Sequence, residues 1–348
     1  MKPQYYLNTY STYPLTERIK QIIIGAKKYI KTGNFFFREP GLLEELKAAC
    51  QRGVVVFILS NLQQENENRF VAGNEFKKEE YDPHIPNLMD LVSIGAHVRC
   101  ISELHAKFIL ADGEVGMIMS SNYTIDSLYG NPECGVDLFK DDYNYLEGIF
   151  DTIFTHADTR LVGRKKDGYV FKSYSSLIDP MVFQDNESNI LLTLAPRNNT
   201  TNLSNCNIIS LYHEIANIIN DAEECVFLAA FSFREIDKLP LIKNALANAA
   251  SRNLEIYLIY NSKPDRVEKE IYQLQTELSS IKSWGIPKNH AKFLFTEKKG
   301  IIFTSNIDAK AGLLNGFELG VRLSEHQYDQ CVNSIQEIEQ EIKDKKYE

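Results

Sequence analysis

Apolar positions recur at helical spacing through Leu15–Tyr29 (LTERIKQIIIGAKKY) and again through Ile208–Ala222 (IISLYHEIANIINDA), predicting two amphipathic helices. The same succession follows each. Phe35–Asn61 (FFFREPGLLEELKAACQRGVVVFILSN) and Phe231–Asn261 (FSFREIDKLPLIKNALANAASRNLEIYLIYN) both predict an aromatic strand, an Arg-Glu pair, an amphipathic helix, a short turn and a second apolar strand. Further on, HAKFILAD (His105–Asp112) pairs with HAKFLFTE (His290–Glu297). Each passes through a turn to an apolar stretch ending in Ser-Asn, GMIMSSN (Gly116–Asn122) and GIIFTSN (Gly300–Asn306). Each then reaches a strand opening Glu-x-Gly, ECGVDLF (Glu133–Phe139) and ELGVRL (Glu318–Leu323). From histidine to that glutamate the separation is 28 residues in both copies.

Strand, helix, strand, helix, strand, strand, strand, given twice, predicts an α/β fold of two tandem repeats. Each repeat is a mixed β-sheet flanked by helices. The seam falls in the polar stretch Asp158–Glu187, before the strand Asn189–Arg197, giving an N-terminal domain over 1–170 and a C-terminal domain over 171–348. The first half carries extra residues between Gln63 and Pro86, which read as a surface insertion. In the tail, Ile335, Ile338 and Ile342 share one helical face, predicting a packed terminal helix.

Composition narrows the class. Of 348 residues, 44% are hydrophobic and 24% charged, the balance of a folded chain with room for two ordinary domains. Met1–Pro14 lacks the apolar core of a signal peptide, and no stretch approaches a membrane span, so a cytoplasmic protein is expected. Cys50, Cys100, Cys134, Cys206, Cys225 and Cys331 are scattered without a C-x-x-C pair, and read as reduced thiols rather than disulfides or zinc ligands. The net charge of −9 counts against a generally basic, nucleic-acid-binding surface. One local exception gathers Arg160, Arg164, Lys165, Lys166 and Lys172, either a solvated linker or a place for phosphate contact.

The repeated octamer carries the chemistry. On a strand His105 and Lys107 share one face and Ala106, Phe108 and Leu110 the other; His290 and Lys292 stand likewise against Ala291, Phe293 and Phe295. Core packing does not call for the polar set that both copies keep, because unpartnered polar groups cost stability.

His-x-Lys-x-x-x-x-Asp followed by Ser-x-Asn resembles the phospholipase D superfamily, the HKD phosphodiesterases. His105, Lys107, Asp112, Ser120 and Asn122 match the full motif; His290, Lys292 and Ser305 match in the second half, where Glu297 replaces the Asp and Asn306 comes one place early. The resemblance covers nearly the whole chain. It implies that both motifs meet at one active site on a pseudo-two-fold axis, with His105 as nucleophile and His290 as general acid, and no metal or other cofactor. One imidazole can attack phosphorus while the other protonates the leaving oxygen. Lys107 and Lys292, with Ser120, Asn122, Ser305 and Asn306, can hold the phosphoryl oxygens. A carboxylate on the far ring nitrogen would fix the tautomer, and Glu133 and Glu318 are the candidates, since members of the family carry a Glu in a corresponding strand. Asp112 and Glu297 belong to the motif but sit at its turn, where they brace the loop rather than react.

The motif gives the reaction and leaves the substrate open. A nuclease acting on DNA or RNA, in repair, restriction or phage defence, is the leading expectation, with Tyr123 and Tyr129 as candidates for base stacking. A cytosolic phospholipase D acting on membrane lipid and a catalytically silent nucleic-acid-binding module are the alternatives. A helicase or ATPase could deliver the substrate, and the chain could act as monomer or homodimer.

Overall fold

The computed structural model describes residues 2–62, 83–165, 168–173, 178–183, 187–196, 202–310 and 312–344. Most of the expected insertion, 63–82, and Lys166 lie outside the described residues. The first sheet comprises β1 (Tyr5–Asn8), β2 (Tyr29–Asn34), β3 (Val55–Asn61), β4 (His97–Ile101), β5 (Phe108–Ala111), β6 (Val115–Met119), β7 (Glu133–Asp137), β8 (Thr159–Lys165) and β9 (Gly168–Ser173). Its order is β1-β7-β6-β5-β2-β3-β4-β8-β9. The second sheet comprises β10 (Ile190–Ala195), β11 (Ile208–Ile209), β12 (Cys225–Ala229), β14 (Glu255–Asn261), β15 (Ile281–Ile286), β16 (Phe293–Thr296), β17 (Gly300–Phe303) and β19 (Gly316–Arg322). Its order is β11-β10-β19-β17-β16-β12-β14-β15, while β13 (Phe233–Arg234) and β18 (Ile307–Asp308) pair separately.

The two orders superimpose strand for strand from β1 to β4 and from β10 to β15. In both, three strands run parallel (β2-β3-β4 and β12-β14-β15) and a hairpin adds antiparallel strands beside them. The α/β class and the tandem mixed sheets are therefore as the sequence pattern predicts. The hairpin β8–β9 has no counterpart among the described residues of the second half, and the boundary expected at 170/171 falls inside β9.

Packing follows from the two-sidedness of each sheet. One face of the first sheet is covered by the helices Pro14–Gly25, Pro40–Gln51 and His84–Ser93, and one face of the second by Ser210–Asp221, Pro240–Ser251 and Asp265–Glu277. The remaining faces bury a core common to both repeats, which joins Phe108 and Ile118 to Phe293, Ile302 and Leu319. The helices Lys140–His156 and Glu325–Asp344 contribute to it, the latter through Cys331 and Ile335; the side chains of Ile338 and Ile342 lie outside the described residues. No helix among the described residues is long and apolar enough to cross a membrane.

Two expected elements are displaced. The first helix stops at Gly25 rather than reaching Tyr29, because the Asp112 carboxylate accepts the backbone N–H groups of Lys27, Lys28 and Tyr29 and fixes a turn there. Glu297 does the same for Glu223, Glu224 and Cys225 after the helix Ser210–Asp221. The strand expected at Phe35 lies earlier, at β2, whose buried Thr32 and Asn34 hide its signature; in the second half β12 likewise ends before Phe231. Thr32 is accommodated by donating its hydroxyl to the Phe108 carbonyl at 2.7 Å.

Candidate active site

In both copies the octamer begins outside its sheet. β5 starts at Phe108 and β16 at Phe293, so His105–Lys107 and His290–Lys292 are the extended approach to each strand. That approach crosses to the other repeat. The His105 and Ala106 N–H groups donate to the Phe317 carbonyl at 3.0 and 2.8 Å, and the His290 N–H donates to the Pro132 carbonyl at 3.0 Å. Phe317 and Pro132 each immediately precede the Glu-x-Gly glutamate.

The crossing decides the polar partners. His105 Nδ1 lies 2.8 Å from Glu318 Oε1, and His290 Nδ1 lies 2.8 Å from Glu133 Oε1. Each imidazole is thus held by the carboxylate of the opposite repeat. Both glutamates are buried, whereas the His105 side chain is 25% exposed and that of His290 14%. The other oxygen of each carboxylate is engaged as well: Glu133 accepts from the Ser120 hydroxyl, and Glu318 accepts from Thr304 Oγ1 at 2.5 Å. Those hydroxyls in turn accept the N–H groups of Cys134 and Leu319, both at 2.9 Å.

Electrostatics follow from burial. Burial holds His105 below its ordinary pKa and takes His290 down to about 4, against the opposing pull of Glu318 and Glu133. Burial alone would raise the two carboxyls, but the histidines, lysines and hydroxyls around them outweigh it and hold both low. Burial also takes Lys107 down to about 7 and lowers Lys292, although carboxylates draw both upward. An ionised carboxylate accepts and cannot donate, so neutral His105 carries its proton on Nδ1 and Nε2 keeps its lone pair, whereas His290 Nδ1 has both Glu133 Oε1 at 2.8 Å and Lys292 Nζ at 3.2 Å. The lysines are buried behind the histidines: Lys107 Nζ donates to the His105 carbonyl and Lys292 Nζ to the His290 carbonyl at 2.8 Å. Such a site holds a basic imidazole nitrogen, a second imidazole and two adjacent amines, the groups needed to attack a phosphodiester and to stabilise its charge.

The remaining sequence-predicted residues divide. Asp112 and Glu297 bind the turns described above, away from the histidines. Ser120 is fully buried and serves Glu133 rather than facing a phosphate; its counterpart is Thr304. Ser305, also fully buried, donates to the Asn306 carbonyl at 2.7 Å, as Ser121 does to that of Asn122 at 3.1 Å. The early position of Asn306 has a simple cause. Ala111 stands opposite Val115 in the first hairpin, whereas Thr296 N–H already bonds to the Lys299 carbonyl in the second, so that turn is one residue shorter. Asn122 and Asn306 are equivalent, and each has a buried Oδ1 without a hydrogen-bond partner among the described residues, as does Glu133 Oε1, whose contact to His290 Nδ1 is an ion-pair distance.

Tyr123 is not available for stacking: it is 1% exposed, within hydrogen-bond distance of Thr32 and edge-on to Phe37. Tyr129 packs against Tyr13 and under Lys20. The aromatics at the histidines are others. Phe35 meets the His105 ring edge-on at 5.4 Å between centroids, and Phe231 meets that of His290 at 5.5 Å. Both are partly exposed. Their place in the twin motifs FFFRE and FSFRE was the available signal.

Comparison with known proteins bears on the fold. Residues 19–153 match the family profile described as "Cardiolipin synthase, PLD-like domain". A phosphatidylserine synthase from Haemophilus influenzae is similar in structure, with TM-score 0.67 and 11% identity over 98% of this chain and 86% of that one. A polyphosphate kinase from Porphyromonas gingivalis gives TM-score 0.57 and 13% identity over 97% of this chain; the chain spans 50% of that kinase's length. No curated protein matches by sequence. Residues 19–153 therefore carry a PLD-like domain, and the whole chain shares its two-repeat fold with these two structures.

Proposed function

We propose that the protein is a metal-independent nuclease that hydrolyses polynucleotide phosphodiesters through a covalent phosphohistidine. The observation carrying this reading is the crossed pair of carboxylate-held imidazoles, His105 with Glu318 and His290 with Glu133. His105 Nε2 attacks phosphorus. The bond to the leaving oxygen breaks, and His290 Nε2–H supplies its proton. The same His290 then takes a proton from water as it attacks the phosphohistidine, which restores His105. Bound phosphate favours the protonated form of His290, and Glu133 stabilises that charge as it appears. Lys107 and Lys292 balance the phosphoryl oxygens, with Asn122 and Asn306 beside them. The partly exposed Phe35 and Phe231 give a polynucleotide two aromatic surfaces next to the reacting groups, which supports bases over lipid chains as the substrate's flanking groups.

The test is cleavage of single-stranded DNA, duplex DNA and RNA in excess EDTA, beside His105→Ala. Products from wild type alone are expected. Equal cleavage by His105→Ala would overturn the reading. So would inert polynucleotides combined with headgroup release from phospholipid vesicles.

A further inference from the structure

We infer, on the polynucleotide reading above, that the hairpin β8–β9 is a docking strip for the substrate's phosphate backbone, outside the catalytic centre. The strands place three cations in one row. Arg99 of β4 stands directly opposite Arg160 of β8, and Arg160 directly opposite Lys172 of β9. Residues in register on neighbouring strands project from the same face, and like charges set directly opposite one another destabilise a sheet. Arg99 is compensated: Nη1 donates to the Thr155 carbonyl at 2.6 Å, near the end of the helix Lys140–His156, and the guanidinium lies 5.2 Å from the Phe154 ring centroid. Arg160 and Lys172 are not. Among the described residues neither forms an ion pair, Arg160 is half-buried and Lys172 is exposed.

Two further observations single out this ribbon. Among the described residues it is the part of the first sheet that the second repeat does not reproduce, and it lies beyond the residues matched by the family profile. It is also basic in an acidic chain: Thr159–Ser173 contains five Lys or Arg and one Asp, while the whole chain carries −9. Leu161, on the opposite face, is buried in the core with Leu88 and Met89 of the helix His84–Ser93, which anchors the start of β8. The row starts from Arg99 at the middle of β4, two residues before that strand ends. Cys100 pairs with Thr159, β4 ends at Ile101, and the chain then turns directly into His105. A polyanion laid along the row would relieve its repulsion and lead towards the histidines. A strip of this kind contributes affinity through counterion release and carries no sequence preference.

The experiment compares wild type with Arg160→Gln/Lys172→Gln, and with Lys298→Gln/Lys299→Gln as a charge-matched control on the β16–β17 turn. Binding of a labelled single-stranded oligonucleotide is measured by anisotropy at several salt concentrations, and hydrolysis of bis(p-nitrophenyl) phosphate reports on the chemistry. Two lost contacts should flatten the salt slope by about 1.4 and weaken binding about tenfold at low salt. Small-diester hydrolysis and the control should be unchanged. Unchanged affinity and slope in the Arg160/Lys172 variant, or an equal loss in the control, would overturn the inference while leaving the nuclease reading intact. Preferential wild-type binding to phosphatidylglycerol vesicles, with no competition from the oligonucleotide, would also overturn it. Binding through the ribbon without polynucleotide cleavage would sustain the docking strip and defeat the nuclease reading.

Discussion

Replacing Glu318 by glutamine probes the crossed geometry most sharply. The amide keeps the volume and can still meet Thr304, so the fold survives. What changes is the group facing His105 Nδ1 at 2.8 Å. The carboxylate both selects the Nδ1–H tautomer and stabilises the cationic ring formed when His105 is covalently modified. With charge centres about 4 Å apart and an effective dielectric of about 20, that attraction is about 4 kcal/mol. At about 1.4 kcal/mol per factor of ten, the covalent step should slow roughly a thousandfold. An amide turned to present its NH2 group would add to the loss by forcing the proton onto Nε2. Single-turnover cleavage in EDTA reads the rate, and nitrogen-15 NMR of the imidazoles reads the tautomers. Glu318→Gln should disturb His105 and spare His290, and Glu133→Gln should do the reverse. A rate within about threefold of wild type, or a disturbance at His290 instead of His105, would refute the crossed assignment.

Three other predictions follow from the same electrostatics. With Lys107 lowered to about 7 by burial, kcat/KM should fall as pH rises through about 7 and the amine loses the charge that binds phosphate; Lys107→Arg should remove this limb from the pH–rate profile. The unfolded His290 takes up a proton near pH 6.5, while the folded one resists until about 4, so stability should drop as pH falls through that window, by about 1.4 kcal/mol per unit. Differential scanning calorimetry of wild type and His290→Gln checks this, the variant showing the shallower dependence. Asp112→Ala should cost about 1–2 kcal/mol by denaturant unfolding, as the loss of a helix cap does, yet leave kcat unchanged where the variant is folded.

The candidate reacting groups were legible because they are polar residues kept twice at matching positions in apolar surroundings. His105, Lys107, His290, Lys292, Glu133 and Glu318 all stand out that way, and the structure brings the histidines against the glutamates. The crossing was not legible. Each repeat contains its own His and Glu, and only the face-to-face packing of the two sheets reveals that His105 belongs with Glu318. Spacing misled at the serines, since Ser305 looks like the counterpart of Ser120 until the shorter second turn makes Thr304 the equivalent. Apolar pattern misled at the aromatics. Phe35 and Phe231 have the composition of strands, yet the ladder is made by their more polar predecessors, leaving the rings at the histidines. Tyr123, close to the motif in sequence, is turned inward by its contacts with Thr32 and Phe37.

The central claim is that His105 carries a covalent phosphoryl group during turnover. Wild type, His105→Ala and His290→Gln are mixed with internally radiolabelled single-stranded DNA in excess EDTA, quenched in alkali to preserve phosphohistidine, and mapped by protease digestion and mass spectrometry. Label on the His105 peptide, increased in His290→Gln and absent from His105→Ala, is the predicted result. Cleavage that proceeds with no label on the protein would contradict the account.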